Sequence, residues 1–178
     1  FEAPELSSNF NHRFSDKASV YAGYNLSNTP PTLEQLQPFQ DVSDPLNITT
    51  GNPDLKPTNN HSLYTGFNNF DFQKGTGFYG YLSFNAQTDQ VVSQTLVDEN
   101  FIRNTTFVNV NGNYNGNISG TFSKDIKLDS IRTLKIRVGS SASLSNFVNF
   151  NNDVLYDTRN TTLSPNVNLT FVWKDVFQ

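Results

Sequence analysis

The sequence contains no cysteine and no methionine, and only 16% of its 178 residues are charged. Without cysteine there is no disulfide framework, no thiolate metal site and no thiol nucleophile. Soluble domains carry about 25% charged residues, so this chain is poor in charge. Its formal net charge of -4 argues against a nucleic-acid partner, because neutralising phosphates requires a basic surface. The chain also lacks any apolar run near the ~18 residues that a membrane helix requires.

What the chain does contain is aromatic residues, at 13% of the total, and many Asn, Ser and Thr residues. A chain that is short of both charge and long apolar runs, yet rich in aromatics and small polar residues, is typical of a membrane β-barrel. Its mean hydropathy of -0.49 is compatible with this class, because lumen-facing residues dilute the lipid-facing ones.

Residues 108–123 show the clearest periodicity in the chain. One side holds Val108, Val110, Gly112, Tyr114, Gly116, Ile118, Gly120 and Phe122. The other side holds Asn109, Asn111, Asn113, Asn115, Asn117, Ser119, Thr121 and Ser123. A period of two is the β-strand period, and ordinary strands are only about 5 to 6 residues long. We therefore predict one long strand here, with one side toward lipid and the other toward a lumen.

Six further stretches have strand character, which gives seven predicted strands in all. They span residues 5–14, 18–26, 59–72, 78–87, 133–144 and 163–173. Short turns carrying Lys17, Lys74, Lys124 and Lys174 alternate with long connections at residues 27–58, 93–104 and 149–160. Only one helical turn is expected in the long connections, at residues 32–37. This arrangement predicts an all-β, antiparallel up-and-down transmembrane β-barrel.

Membrane barrels usually have an even number of strands, so seven strands do not form a closed barrel. The chain also begins at Phe1 without methionine and ends where another strand could start. We therefore expect residues 1–178 to be a fragment of one outer-membrane β-barrel domain, a partial barrel of about seven strands.

No arrangement of residues in the chain predicts an enzyme, a metal site or a cofactor. The two histidines, His12 and His61, fall near opposite rims of the predicted strands, too far apart for a dyad. The long connections are acidic, but the spacing of their carboxylates matches no EF-hand loop. Lys135 and Arg137 lie on the polar side of their strand, so we expect them to be lumen-facing cations.

The first long connection contains a proline-rich phrase. Residues 29–39 read TPPTLEQLQPF, and residues 45–57 read PLNITTGNPDLKP. Gly51 allows a positive φ, and the following Asn-Pro pair favours a turn, so the phrase predicts a stiff arm that places the next strand. The residues of the motif are Gly51, Asn52, Pro53, Asp54, Leu55, Lys56 and Pro57.

This phrase, between two barrel strands, resembles the hallmark of TonB-dependent outer-membrane receptors, and most of all the outer-membrane β-barrel family of the Bacteroidetes. The resemblance implies a barrel of about 22 strands around a plug domain, in the outer membrane of a Gram-negative bacterium. It implies import of a scarce solute: a siderophore, cobalamin, a peptide or a glycan. The implied partners are outer-membrane lipid, the plug and a TonB-type energising complex, and no part of residues 1–178 is assigned to the plug.

The resemblance implies that Lys135 and Arg137 pair with carboxylates of the plug, or alternatively hold an anionic solute. For residues 51–57 we expect a structural role, bracing the outer rim near the ligand entrance. The alternative interpretation is a secreted or surface β-sandwich that binds glycans or a partner protein. The low charge disfavours it, because such a module needs one solvated face on each sheet.

Overall fold

The computed structural model describes residues 4–174, which are almost entirely β-structure. The strands are β1 (Leu6–Arg13), β2 (Ala18–Thr29), β3 (Gln40–Asp44), β4 (Asn47–Thr50), β5 (Thr58–Asp71), β6 (Thr76–Thr88), β7 (Gln90–Val97), β8 (Arg103–Val110), β9 (Asn113–Lys127), β10 (Arg132–Asn151) and β11 (Val154–Trp173). One helical turn, α1 (Leu33–Leu36), follows β2, and it confirms the prediction made for residues 32–37. No helix among the described residues is long and apolar enough to cross a membrane.

Seven strands form one antiparallel sheet in the order β1-β2-β5-β6-β9-β10-β11. These are the seven predicted strands, so the prediction of an antiparallel all-β fold is confirmed. Short turns after β1, β5 and β9 lie at one rim of the sheet, as predicted, but Lys124 lies on β9 rather than in the third turn, which follows Lys127. The fourth predicted turn was placed at Lys174, and the residues that follow it lie outside the described part of the chain.

The sheet has one apolar face and one polar face, and both are continuous across all seven strands. One register row on the apolar face contains Phe10, Ala22, Thr65, Leu82, Ile118, Ala142 and Leu163. The next row, on the polar face, contains Asn11, Tyr21, Gly66, Tyr81, Ser119, Ser141 and Ser164.

The apolar face is exposed rather than packed into a core. Ile118, near the middle of β9, has an exposed fraction of 56%, and Leu163 and Val167 on β11 are exposed as well. Among the described residues the only buried apolar side chains are Leu55 and Val110, and both lie outside the seven-stranded sheet. A β-sandwich would bury this face against a second sheet. An outward apolar face opposite a polar one is the arrangement of a membrane barrel.

Residues 108–123 are not one strand, contrary to the prediction. β8 ends at Val110, β9 begins at Asn113, and Gly112 between them has a φ of +104°. A break of two residues preserves the odd-even alternation, so the periodicity continues unchanged across it. The consequence is that Val108 and Val110 do not belong to the apolar face of the seven-stranded sheet.

The long connections form a second sheet that the sequence did not predict. Its four strands have the order β3-β4-β8-β7, and β4 pairs with β8 in parallel through residues 47–49 and 103–105. The prediction of a polar loop at residues 93–104 is therefore wrong at both ends of this range, which belong to β7 and β8. Pairing between two separate loops depends on contacts far apart in sequence, which local patterns do not reveal.

The predicted loop at residues 149–160 is also wrong. β10 and β11 are each 20 residues long, and they are joined by a tight turn. Asn152 and Asp153 in this turn both have positive φ, which Asn and Asp tolerate better than most residues and which favours a tight hairpin. The turn lies against the edge of β7, where the Asp153 N–H donates to the Thr95 carbonyl oxygen at 3.1 Å. Such Asn-rich strands escape prediction because Asn is depleted in ordinary strands.

On the polar face, two tyrosine rings cover two glycines of the neighbouring strand. Tyr21 is paired with Gly66, and Tyr64 is paired with Gly23. A Cβ atom at Gly23 would lie 2.3 Å from the Tyr64 ring, and one at Gly66 would lie 2.2 Å from the Tyr21 ring. The two glycines are therefore required by the close approach of the rings.

We expect Gly23→Ala to destabilise the barrel by about 1–3 kcal/mol, because the added methyl group displaces the Tyr64 ring. The measurement is urea unfolding of the natural full-length protein in detergent. In a Tyr64→Ala background the cost of Gly23→Ala should fall close to zero. An undiminished cost in that background would contradict the ring contact.

Candidate functional site

Residues 51–57 connect β4 to β5 at the rim of the long connections. The backbone of Gly51 lies directly against the residues at the end of α1, where a Cβ atom would be 2.2 Å from the Gln37 carbonyl oxygen and 2.7 Å from that of Glu34. Among the described glycines, only Gly75 and Gly112 have positive φ. The expectation that Gly51 supplies a positive φ is therefore wrong, and the glycine is needed for close contact between two backbone segments.

Asn52 joins three parts of the outer rim. Its N–H donates to the Gln35 carbonyl oxygen at 2.6 Å, and its Nδ2 donates to the Phe107 carbonyl oxygen at 2.9 Å. Its Oδ1 accepts from the Asp54 N–H at 3.0 Å, which closes the exposed turn at Pro53 and Asp54. Through its backbone N–H and its side chain, this one residue connects α1, the motif and β8.

The second half of the motif is fixed to β8 as well. The Lys56 N–H donates to the Asn109 Oδ1 at 2.8 Å, and the Asn109 Nδ2 donates back to the Lys56 carbonyl oxygen at 2.9 Å. Leu55 has an exposed fraction of only 2%. Pro57 leads into β5, whose first residue, Thr58, is also buried. The motif therefore holds the first two long connections together.

Three carboxylates of the outer rim, those of Asp41, Asp44 and Asp98, accept hydrogen bonds from neighbouring groups of their own loops. Asp41 accepts from the hydroxyl of Ser43 at 2.6 Å and from its N–H at 3.0 Å, and these bonds hold the pKa of Asp41 below its usual value. Asp98 accepts from the N–H groups of Asn100 and Ile102. Within residues 4–174 no three His, Asp or Glu residues are arranged to hold a metal ion. These carboxylates shape the loops.

Lys135 and Arg137 both lie on the polar face, near the short turns. Lys135 is opposite Asp125 and Thr170, and Arg137 is opposite Ser123 and Asn168. A groove of about 520 Å³ runs beside Lys135 at this rim. Its other charged lining residues are Lys74, Lys124, Asp125, Lys127 and Lys174. What these cations bind stays a prediction.

Asp71 closes the turn after β5 at the same rim. Its carboxylate accepts from the Lys17 ammonium at 2.8 Å and from the N–H groups of Gln73 and Lys74 at 3.1 Å and 3.0 Å. The Lys17 hydrogen bond, followed by the Lys74 N–H, holds the pKa of Asp71 below its usual value. The stabilisation is therefore present above the ordinary Asp pKa and is lost as the pH falls through the lower pKa of the folded state.

We expect the free energy of unfolding to decrease as the pH is lowered below about 4, and Asp71→Asn to remove part of that decrease. The measurement is urea unfolding in detergent at a series of pH values. Asp16→Asn is the matched control, because Asp16 forms an exposed pair with Arg13 that contributes little. An identical pH dependence in the Asp71 variant and the natural protein would contradict the assignment.

A pocket of about 270 Å³ lies at the opposite end of the polar face, near the long connections. Its lining side chains on that face are Asn60, Ser62, Asn85, Gln87, Asn113, Asn115 and Phe147. None of these residues was predicted as a binding residue, although Asn113 and Asn115 belong to the polar side of residues 108–123. The alternation places the six polar residues on the polar sides of their strands, whereas Phe147 lies beyond the predicted strand at residues 133–144, and only the register between strands brings the seven residues together.

A family model described as an outer membrane protein beta-barrel family matches residues 7–177. No curated protein matches the chain. The matched range includes all of the seven-stranded sheet apart from Leu6, and the outward apolar face agrees with the family. The chain therefore belongs to the outer membrane protein beta-barrel family, and it forms part of a barrel in the outer membrane of a Gram-negative bacterium.

Proposed function

We propose that this barrel wall belongs to a TonB-dependent receptor that binds a scarce solute at the cell surface and imports it. The observation that carries the proposal is the attachment of residues 51–57 to β8 through Asn52 and Asn109. This attachment braces two long connections at the rim where a solute enters. A rigid outer rim suits a receptor that holds its ligand before transport.

The partners in this proposal are outer-membrane lipid on the apolar face, a plug domain in the lumen and a TonB-type energising complex. Lys135 and Arg137 are then expected to pair with carboxylates of the plug, because charges away from bulk water usually have partners. The solute is a siderophore, cobalamin, a peptide or a glycan. The protein acts as a receptor and transporter, with no enzymatic activity and no nucleic-acid partner.

The test is uptake by living cells that carry or lack the complete natural gene. Labelled ferric siderophores, cobalamin, oligopeptides and oligosaccharides are supplied one at a time, with and without a protonophore. We expect uptake of one class to be lost on deletion and to be abolished by the protonophore. Uptake of all four classes that is unchanged by deletion, or gene-dependent uptake that persists with the protonophore, would contradict energised import.

A further inference from the structure

The pocket near the long connections is built from two neighbouring register rows of the polar face. Asn60, Gln87 and Asn113 are opposite one another in the first row, nearer the outer rim. Ser62, Asn85, Asn115 and Ser145 form the second row. Every side chain in these rows is an uncharged amide or hydroxyl. Two such rows present hydrogen-bond donors and acceptors side by side along one wall.

The first row is held in place by bonds within the protein. The Gln87 Nε2 donates to the Asn60 Oδ1 at 2.9 Å, and the Asn113 Oδ1 accepts from the Val148 N–H at 2.7 Å. Asn113 has an exposed fraction of only 4%, and its Nδ2 has no hydrogen-bond partner among the described residues. Unpaired buried amide groups are rare, because each costs free energy that a bond would recover.

The second row is available to a ligand. The side chains of Ser62, Asn85 and Asn115 form no hydrogen bond with other groups of residues 4–174, and all three line the pocket. Phe147 completes the wall with an aromatic ring that has an exposed fraction of 56%. The pocket therefore combines free amide and hydroxyl groups with one exposed ring.

No carboxylate, ammonium or guanidinium group is among the described residues that line this pocket, and its one histidine, His61, lies on the apolar face, where its Nδ1 is hydrogen-bonded to the Tyr24 hydroxyl at 2.8 Å. A charged solute that gave up its water here would find no counter-ion, which is costly. A sugar ring has many hydroxyl groups for the amides and an apolar face for the aromatic ring. At about 270 Å³ the pocket is smaller than the roughly 300–1,000 Å³ of sites for drug-sized ligands, so it suits a small unit of a longer chain.

We propose that this pocket binds a neutral saccharide unit, as the first docking position inside the barrel mouth. This inference rests on the proposed function and assigns the glycan class to the imported solute. The contacting residues are Asn85, Asn115 and Phe147, whereas Asn60, Gln87 and Asn113 hold the wall in shape.

The test is isothermal titration of the natural full-length protein in detergent with maltoheptaose, cellohexaose and mannohexaose, and with hexagalacturonate as the charged comparison. We expect at least one neutral oligosaccharide to bind, and Phe147→Ala and Asn115→Ala each to weaken that binding at least tenfold. Asn11→Ala is the matched control, because Asn11 is on the same face far from the pocket. We expect this variant to bind as the natural protein does, and all variants to keep the gel mobility of a folded barrel.

Three results would overturn the proposal: no neutral oligosaccharide binds, hexagalacturonate binds as tightly as the best neutral one, or both pocket variants bind normally. Saccharide binding without energised uptake would contradict the proposed import and leave the pocket assignment standing. Energised uptake of another solute class, without saccharide binding, would contradict the pocket assignment and leave the proposed import standing.

Discussion

Ile118→Arg is expected to lower the free energy of unfolding of the barrel by about 2–4 kcal/mol, the cost of an arginine on the lipid face near the middle of the membrane. Ile118 lies near the centre of β9 and has an exposed fraction of 56%. Its register neighbours, Leu82 and Ala142, are apolar. A guanidinium group here has no partner and no water. The measurement is urea unfolding of the natural full-length protein in lipid vesicles.

The matched control is Asn117→Arg, one residue away on the polar face. Asn117 is paired with Ser83 and Ser143, so an arginine there meets polar groups and the lumen. We expect this variant to be much closer to the natural protein in stability than Ile118→Arg. Equal costs for the two variants would show that the faces are not separated into lipid and lumen.

Leu55→Ala is expected to destabilise the outer rim by about 2–5 kcal/mol, the usual cost of truncating a buried leucine. Leu55 has an exposed fraction of 2% and lies between Asp54 and Lys56, whose N–H groups are bonded to Asn52 and Asn109. Removing its side chain leaves a cavity under the motif. Native-state hydrogen exchange should show faster exchange at the Asn52 N–H, which donates to the Gln35 carbonyl oxygen.

The control for this experiment is Leu33→Ala, because Leu33 is on α1 and has an exposed fraction of 72%. We expect exchange at Asn52 in that variant to match the natural protein. Amides in the middle of β9 should be protected equally in both variants, since the effect is local to the rim. Normal exchange at Asn52 in the Leu55 variant would contradict the bracing role of residues 51–57.

The seven-stranded sheet was predictable because each of its strands must present one face to lipid and the other to the lumen. That requirement produces the alternation directly, as in the row from Phe10 to Leu163 and its polar neighbour from Asn11 to Ser164. The short turns were predictable too, because they are the points where the alternation stops. The same pattern places Lys135 and Arg137 on the polar face.

The outer sheet was not predictable, because its pairing depends on segments from different loops. β4 and β8 pair in parallel, although more than 50 residues of chain separate Asn47 from Arg103 along the sequence. The break at Gly112 could not be predicted from the sequence, because a break of two residues leaves the alternation of apolar and polar residues unchanged. The hairpin turn at Asn152 and Asp153 was not predicted, because the residues around it are rich in Asn and such segments usually indicate loops.

For the motif, the reason that the sequence indicated for its glycine was wrong. Gly51 was expected to adopt a positive φ, whereas the structure requires it for contact with the Gln37 backbone. The partner of Lys56, Asn109, was assigned to the polar face of a membrane strand, and it instead binds the motif from β8. The first difference arises from packing within the first long connection, and the second arises from the packing of the first two long connections on each other.

The most direct test of the central claim is spin-label accessibility along β9 in the natural full-length protein reconstituted in lipid. Single labels are placed in turn at residues 116–122, and collisions with oxygen and with a water-soluble nickel complex are measured. We predict that labels at even positions collide with oxygen and that labels at odd positions collide with the nickel complex. Accessibility that does not alternate, or that alternates in the opposite sense, would contradict the assignment of this chain as a barrel wall with a lipid face and a lumen face.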